Sequence, residues 1–209
     1  MSIFISIEGF DGTGKSTQAK LLKENLTKFN IDSKLVREPG STDFSEKIRN
    51  ILRENTEIEI ITELLLFQAS RSELVNKVIK PNLGKGKVVI TDRYIDSSLA
   101  YQGYGGGLDL ELIKSLNNIS TSKLLPSLTF LLDMDVKDSL KRTEDRNSSE
   151  QISKFEEKDF IFHEKVKNGF IDILNNNSNR VIKIDASKDI EVISKELLKI
   201  TLEKINEVI

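Results

Sequence analysis

The chain of 209 residues is 38% apolar, contains no cysteine and carries a formal net charge of -2 from 31 basic and 33 acidic residues. This length and apolar content are enough for one sizeable core, so we expect a single domain over residues 1–209. The balanced charge argues against nucleic-acid and membrane partners. The lack of cysteine and of a long apolar segment indicates a cytoplasmic protein that acts on a small molecule.

Short apolar runs rich in β-branched residues alternate with longer amphipathic stretches. The runs predict buried parallel strands and the stretches predict helices. Together they predict an α/β fold with a central, mostly five-stranded parallel sheet flanked by helices. The predicted strands cover residues 3–7, 33–36, 88–91, 128–132 and 181–184, and the helices cover 16–29, 44–53, 60–78, 110–116 and 189–209.

Composition also predicts where some of these elements are interrupted. Pro81 and the glycines at 84 and 86 predict the end of the long central helix just before the strand at 88. Charged residues and serine dominate the stretch 142–158, which is typical of a mobile surface lid. The asparagine-rich run at 175–179 predicts a plain loop, and His163, the only histidine, is given no role.

Residues 9–16 match the pattern G-x-x-x-x-G-K-[ST], between a predicted strand and a predicted helix. Glycines that tolerate positive φ let backbone N–H groups surround a β-phosphate, and the helix amino end adds positive charge. Lys15 is expected to bridge the β- and γ-phosphates and Ser16 to bind Mg²⁺. The pattern therefore predicts a three-layer P-loop NTPase fold that binds ATP and Mg²⁺ through Gly9, Phe10, Asp11, Gly12, Thr13, Gly14, Lys15, Ser16 and Thr17.

A second carboxylate is needed near the metal, and Asp92 follows the strand 88–91 where such a group is expected. The alternative role for Asp92 is to cap the helix that follows. Arg93, directly after it, favours the site, because a strand-end Asp-Arg pair can face both a metal and a phosphate. The P-loop alone is shared by kinases, switches, motors and transporters, so the acceptor decides the class.

Five motifs in one order resemble those of bacterial thymidylate kinases over essentially the full length. The resemblance implies a nucleoside monophosphate kinase that uses ATP and Mg²⁺ to convert dTMP to dTDP for dTTP synthesis. It also implies a homodimer through helices on one side of the sheet. The motifs are residues 8–17, Arg-Glu-Pro-Gly at 37–40, Leu-Leu-Phe-Gln-Ala-Ser-Arg at 65–71 with Val-Ile-Lys-Pro at 78–81, Asp-Arg-Tyr at 92–94 and Ser-Ser-Leu-Ala-Tyr-Gln-Gly at 97–103.

The same resemblance implies how the acceptor is bound. Phe67 would stack on the thymine ring, and Arg71, one helical turn later on the same face, would bond the edge of the base. Arg37 and Arg93 would grip the acceptor phosphate with two guanidinium forks. Taken without the family, Phe67 would be a core residue and Arg37 an ordinary surface charge.

Sugar contacts and a transition-state cation complete this implied site. Tyr101 would pack where a 2′-hydroxyl would sit, although simple packing is an open alternative, and Gln102 and Ser98 would contact base and sugar. Asp11 would orient the sugar or a Mg²⁺-bound water, or cap the loop. Because positions 10–13 hold no arginine, the lid is expected to supply the cation. The candidates are Arg142 and Arg146, which could also be solvated charges.

Two other functions remain open. One is a kinase for another nucleoside monophosphate or for a deoxynucleoside. The pair Arg37 and Arg93 argues against a deoxynucleoside acceptor, because a nucleoside brings no phosphate for two arginines to bind. The other is a P-loop switch or assembly ATPase, which would turn over ATP without an acceptor. That function gives no reason for Phe67, Arg71, Arg93 and Tyr101 to occur together.

Overall fold

The computed structural model describes residues 2–54, 57–147 and 160–207, and the side chains of all of these except 144–147. Five strands form one parallel sheet in the order β2-β3-β1-β4-β5. The predicted α/β fold with a five-stranded parallel sheet is therefore confirmed. The strands are β1 (Ile3–Glu8), β2 (Ser33–Arg37), β3 (Val88–Asp92), β4 (Leu128–Asp133) and β5 (Val181–Asp185).

Each strand extends one residue beyond its predicted apolar run, at the carboxyl end. The added residue is charged in every case, so the apolar pattern did not include it although the backbone ladder continues through it. In open α/β sheets this carboxyl edge is where ligands bind. The added residues are Glu8, Arg37, Asp92, Asp133 and Asp185.

Helices cover both faces of the sheet, which gives the three layers that were predicted. The predicted helices are present, and two further helices, for which no range had been predicted, follow β4. Two π-helical segments, Val75–Ile79 and Leu99–Gly105, continue α3 and α5. The helices are α1 (Lys15–Lys28), α2 (Asp43–Glu54), α3 (Ile60–Leu74), α4 (Lys80–Gly84), α5 (Ile95–Ser98), α6 (Leu110–Thr121), α7 (Val136–Asn147), α8 (Phe160–Asn176) and α9 (Ile190–Asn206).

Three predicted boundaries differ in the structure. The central helix ends at Gly84, just before β3 as the glycines predicted, but it continues past 78 and past Pro81. A proline lacks the N–H that a helix needs, and the π turn Val75–Ile79 just before it lets the chain continue without an α-helical bond at that point. The lid prediction begins inside α7, since 142–147 are helical, while 148–159 lie outside the described residues. The predicted loop at 175–179 begins only after α8 ends at Asn176.

The core divides between the two faces of the sheet because successive residues of a strand point to opposite sides. Ile5 and Ile7 pack in one buried cluster with Leu22 of α1 and Leu197 of α9. Phe4 belongs to a second cluster that includes Leu74, Val75 and Ile79 of the long central helix. In the described part of the chain, no helix has both the length and the apolar character needed to span a bilayer.

Candidate active site

The loop between β1 and α1 forms a phosphate cradle. Lys15 is buried, and its ammonium donates to the carbonyl of Phe10 at 2.7 Å, so the lysine side chain folds back under the loop. Gly14 at the start of α1 has φ of +88°, and Gly12 has φ of +80°. A Cβ on Gly12 would lie 2.2 Å from the carbonyl oxygen of Ser139 on α7, whereas one on Gly14 would meet nothing within 4 Å. Gly14 is therefore required by backbone conformation alone, and Gly12 by conformation and by close packing.

Burial is the main reason that the pKa of Lys15 falls to about 8, and the neighbouring Arg93 lowers it further. Asp11, 4.0 Å away, opposes that shift. A bound nucleotide phosphate would restore the full positive charge, because an anion near the ammonium favours the charged form.

Ser16 and Asp92 meet at the start of α1, as the sequence predicted. The Ser16 hydroxyl donates to a carboxylate oxygen of Asp92. Hydroxyl and carboxylate oxygens are ligands that Mg²⁺ takes in nucleotide sites, so the pair fits that ion. Among the described residues there is no group of three acidic, histidine or cysteine side chains placed to hold a metal ion. A metal held here would therefore take its other ligands from phosphate and water.

Arg93 lies beside this cradle in a left-handed backbone conformation, with φ of +70°. One terminal nitrogen donates to the carbonyl of Gly9 at 3.0 Å, and the other donates to Asp11 at 2.5 Å and to the Tyr101 hydroxyl at 3.2 Å. The guanidinium carbon lies 4.9 Å from the centre of the Tyr101 ring. The predicted residues Asp11, Arg93 and Tyr101 thus form one cluster at the edge of the P-loop.

Asp11 is the anionic centre of that cluster. Burial alone would raise the pKa of its carboxyl, but Arg93 and Lys15 outweigh burial and lower the pKa to about 2. The Tyr101 hydroxyl donates to its second oxygen at 3.2 Å. A carboxylate with so low a pKa is a poor proton acceptor, so its position suits orientation of neighbouring groups better than general-base work.

Arg37 ends β2, directly beside Asp92 in the β2–β3 register. In this structure one terminal nitrogen of its guanidinium donates to both carboxylate oxygens of Glu46 on α2, at 2.7 and 2.9 Å, and its side chain is 49% exposed. Arg37 and Arg93 therefore lie at the ends of neighbouring strands, and Arg37 must exchange Glu46 for a phosphate if it is to act as predicted. The following turn contains a cis bond before Pro39 and a left-handed Ser41 at φ of +69°.

Sequence reasoning missed Arg49 of α2, which donates to the carbonyl of Pro39 at 3.1 Å. Burial and then the charge of Arg37 lower its pKa, which places Arg49 close to the Arg37 turn. The available signal was its helical spacing, because Arg49 follows Glu46 by three residues and shares its face.

Arg71 is 1% exposed and fully hydrogen-bonded within the protein. A guanidinium has five N–H donors, and here each of them has an acceptor within the protein. A base that is bonded by Arg71 must therefore share a donor with one of these acceptors. The acceptors are Glu38 at 2.7 Å, Gln68 at 3.2 Å, Asn117 at 2.6 Å, the carbonyl of Tyr94 at 3.1 Å and Ser98 at 2.9 Å. Phe67, one turn earlier on α3, is half-buried.

Gln102 is also held by a buried carboxylate. Its side-chain amide donates to Glu63 of α3 at 2.8 Å, and both residues are 2% exposed. Sequence reasoning gave no role at the base site to Glu38, Glu63, Gln68 and Asn117, all of which are buried polar residues around it. The available signal for Glu63, Gln68 and Asn117 was a polar side chain at an otherwise apolar helical position, whereas Glu38 lies outside any helix.

Of the two lid arginines, Arg142 and Arg146, the structure describes the side chain of Arg142. Arg142 on α7 donates to the carbonyl of Ala186 at 3.0 Å, just beyond β5. The side chain of Arg146 lies outside the described residues. On the same helix the Ser139 hydroxyl donates to the carbonyl of Asp11, so α7 rests directly on the P-loop.

Comparisons with known proteins agree on one family. The family model described as thymidylate kinase matches residues 7–197. A thymidylate kinase of Exiguobacterium sp. (strain ATCC BAA-1283 / AT1b) is 42% identical over 207 residues, covering 98% of this chain and 96% of the relative. One from Dehalococcoides mccartyi (strain CBDB1) is 44% identical over 205 residues, covering 97% of each. The crystal structure of thymidylate kinase from Ehrlichia chaffeensis matches with a TM-score of 0.78 at 37% identity, covering 96% of this chain and 98% of that chain.

Proposed function

This chain belongs to the thymidylate kinase family, and from that membership we propose that it transfers the γ-phosphate of ATP to dTMP, with Mg²⁺, forming dTDP and ADP. The observation that carries the proposal is the cluster of Arg93, Asp11 and Tyr101 against the P-loop. Arg93 bonds the loop carbonyl of Gly9 at 3.0 Å. A phosphate on this arginine would therefore lie next to the cradle that holds the donor phosphates.

Catalysis in this site would consist of positioning and charge stabilisation, because phosphoryl transfer has a loose transition state and needs no strong base. Lys15 would hold the β- and γ-phosphates. Ser16 and Asp92 would hold Mg²⁺, whose charge offsets that of the phosphate oxygens. Arg93, joined by Arg37 after release from Glu46, would fix the acceptor phosphate so that one oxygen faces the γ-phosphorus.

Selection of the acceptor would rest on contacts made before it binds. The Tyr101 hydroxyl bonds both Arg93 and Asp11 at 3.2 Å, which fixes the ring beside the phosphate site, where it can exclude a 2′-hydroxyl. Phe67 supplies a ring face on the same helix as Arg71. Stacking on an aromatic side chain contributes about 1 to 3 kcal/mol per base in nucleic-acid complexes. Ser98 and Gln102 would bond the base or sugar.

We propose that a lid arginine, Arg142 or Arg146, supplies the cation that stabilises the transition state. Arg142 would first have to leave the carbonyl of Ala186, to which it donates in this structure. Alanine at either Arg142 or Arg146 should lower kcat more than it raises the dTMP KM, since the contact strengthens only in the transition state. Unchanged kcat in both variants would contradict a role for the lid arginines.

A homodimer is the proposed assembly. Helices α2, α3 and α6 pack side by side, and they carry half of the large exposed apolar side chains found in the described part of the chain. A patch of this kind marks an interaction surface, and a two-fold contact between identical patches is the commonest solution. The side chains are Phe44, Ile51, Ile61, Leu65, Leu112 and Ile119, at 39% to 76% exposure.

Light scattering on the purified protein tests this assembly. Leu65→Glu should convert a dimer into a monomer, because a charge in an apolar contact is costly. Phe29→Glu is the matched control, since Phe29 is 56% exposed at the end of α1. Dissociation by both variants, or by neither, would contradict the assignment of this surface.

The function is tested by ADP release from ATP and Mg²⁺ with dTMP, dUMP, AMP, CMP, GMP, UMP or thymidine, and with no acceptor. We expect turnover that depends on dTMP. Lys15→Ala should abolish it, Arg93→Ala should cripple use of dTMP while ATP binding survives, and Lys20→Ala on the exposed side of α1 should have no effect. Preference for another monophosphate would overturn the base assignment, and turnover that ignores every acceptor would favour a switch.

A further inference from the structure

Glu8, the last residue of β1, is a buried carboxylate beside the P-loop that takes no part in the proposed phosphate contacts. Its side chain is 1% exposed. One oxygen accepts the backbone N–H of Tyr94 at 2.7 Å and the Ser6 hydroxyl at 3.0 Å, and the other accepts the Ser97 hydroxyl at 2.6 Å. A buried carboxylate costs free energy unless its partners use the charge, so the partners indicate what Glu8 does.

Two of the three hydrogen bonds that Glu8 accepts, from the Tyr94 N–H and from the Ser97 hydroxyl, lie next to Arg93. The left-handed conformation of Arg93 is unfavourable for a residue with a Cβ and persists only where neighbouring contacts impose it. Its own N–H donates to the carbonyl of Ile7 at 3.0 Å, and the next N–H, of Tyr94, donates to Glu8. Consecutive residues of β1 thus hold the N–H groups on both sides of the Arg93 Cα.

Ser97 links Glu8 to the guanidinium itself. A hydroxyl has one proton to donate, and Ser97 gives it to Glu8, which leaves its lone pairs for the Arg93 N–H at 3.1 Å. The same guanidinium nitrogen donates to the carbonyl of Gly9. The plane of the guanidinium is therefore fixed between α5 and the P-loop, with its other nitrogen on Asp11 and Tyr101.

We infer that Glu8 is a positioning residue for phosphoryl transfer, which holds Arg93 in the orientation that receives the acceptor phosphate, through the Tyr94 N–H and the Ser97 hydroxyl. This inference rests on the proposed function of Arg93. A glutamine at position 8 could still accept the Tyr94 N–H with its carbonyl oxygen. Its NH₂ group, however, would donate to Ser97 and turn that hydroxyl proton toward Arg93, where two donors would face each other.

The test compares Glu8→Gln, Ser97→Ala and the double variant with the unaltered enzyme. Steady-state kinetics at pH 8 give KM for dTMP and for ATP, and calorimetry at the same pH gives the dTMP Kd. Each single variant should raise the dTMP KM and Kd about tenfold, as expected for weakening one charge-assisted hydrogen bond, and should leave the ATP KM within about twofold. Because both changes act through one hydroxyl, the double variant should be no worse than about tenfold.

Ser6→Ala is the matched control, since Ser6 also bonds Glu8 but does not contact the Arg93 segment in any described hydrogen bond. It should leave both KM values unchanged. Unaltered dTMP binding in Glu8→Gln and Ser97→Ala, or equal losses for dTMP and ATP, would overturn the positioning role and leave the proposed function standing. If Glu8→Gln does not fold, Ser97→Ala decides alone. Absence of dTMP-dependent turnover in the unaltered enzyme would overturn both.

Discussion

Replacing Glu8 with glutamine should remove one pH-dependent part of the free energy of unfolding. Burial, reinforced by the charge of Asp96, raises the pKa of Glu8 from 4.5 to about 7. Between those values the folded protein binds a proton that the unfolded chain does not bind. The stabilisation from that proton is complete below pH 4.5 and is lost as the pH rises through 7.

The size of the effect follows from the two pKa values. The difference between 4.5 and about 7 corresponds to roughly 3 kcal/mol, at about 1.36 kcal/mol per pH unit. About 2.5 kcal/mol of this falls between pH 5 and pH 8, where the unfolded carboxyl is already mostly ionised. Glutamine does not titrate, so the variant lacks this pH-dependent part of the free energy of unfolding.

This pH-dependent contribution of Glu8 is measured by urea unfolding of the unaltered protein and of Glu8→Gln at pH 5 and pH 8. Relative to the unaltered protein, Glu8→Gln should gain about 2.5 kcal/mol of stability between pH 5 and pH 8. The charged groups that face Glu8 are Asp96, Arg93, Lys15 and Arg180. They are present in both proteins, so their titration cancels in the difference except where the charge of Glu8 itself shifts it, as it does for Lys15.

Glu24→Gln, on the exposed side of α1, controls for the loss of one negative charge. A difference between Glu8→Gln and the unaltered protein that stays constant from pH 5 to pH 8 would refute the reasoning. It would mean that Ser97, Ser6 and the Tyr94 N–H stabilise the carboxylate enough to cancel its burial.

Two glycines of the P-loop should respond differently to alanine, because a Cβ on Gly12 would lie 2.2 Å from a backbone oxygen of α7 and one on Gly14 would meet nothing within 4 Å. In urea unfolding we expect Gly14→Ala to lower the free energy of unfolding by about 1 kcal/mol, from its backbone conformation alone. Gly12→Ala should lower it by about 3 kcal/mol. Equal losses in the two variants would contradict the close packing of α7 on Gly12. Asn117→Ala removes an acceptor from Arg71 and should raise the dTMP KM about tenfold with the ATP KM unchanged. Asn118→Ala, on the exposed face of the same helix, should change neither KM, and a similar loss in both variants would contradict the role of the buried network.

The sheet was predictable because four of its strands contain short, mainly apolar runs rich in β-branched residues, and the P-loop because its spacing is dictated by a phosphate. Helix ends were less predictable where a local rule was overridden. Pro81 is a helix breaker by local chemistry, yet the π turn at Val75–Ile79 carries the chain past it. No range was predicted for α7, because its last residues belong to the charged stretch 142–158 that was interpreted as a lid.

For the candidate site, the motifs predicted which residues would gather and could not predict what holds them. Asp11, Arg93 and Tyr101 meet as expected. Arg71, expected to face a base, is enclosed by acceptors from other parts of the chain, including Glu38. Such partners are set by tertiary packing between distant segments, for which a single sequence carries no local pattern.

Three buried glutamates stand behind the proposed acceptor contacts, and they share one physical role. Glu8 bonds the segment that carries Arg93, Glu38 bonds Arg71 and Glu63 bonds Gln102. An ionised carboxylate only accepts hydrogen bonds, so it fixes which way a neighbouring hydroxyl, amide or guanidinium donates.

This arrangement destabilises the fold, because burial raises the pKa of both Glu8 and Glu38 and so opposes their ionised forms. In return, the donors of the acceptor site are oriented before a substrate arrives, and little side-chain entropy remains to be lost on binding. The stability cost at Glu8 and Glu38 and a preformed acceptor site are therefore two consequences of the same buried charges. A substitution that improves one should impair the other.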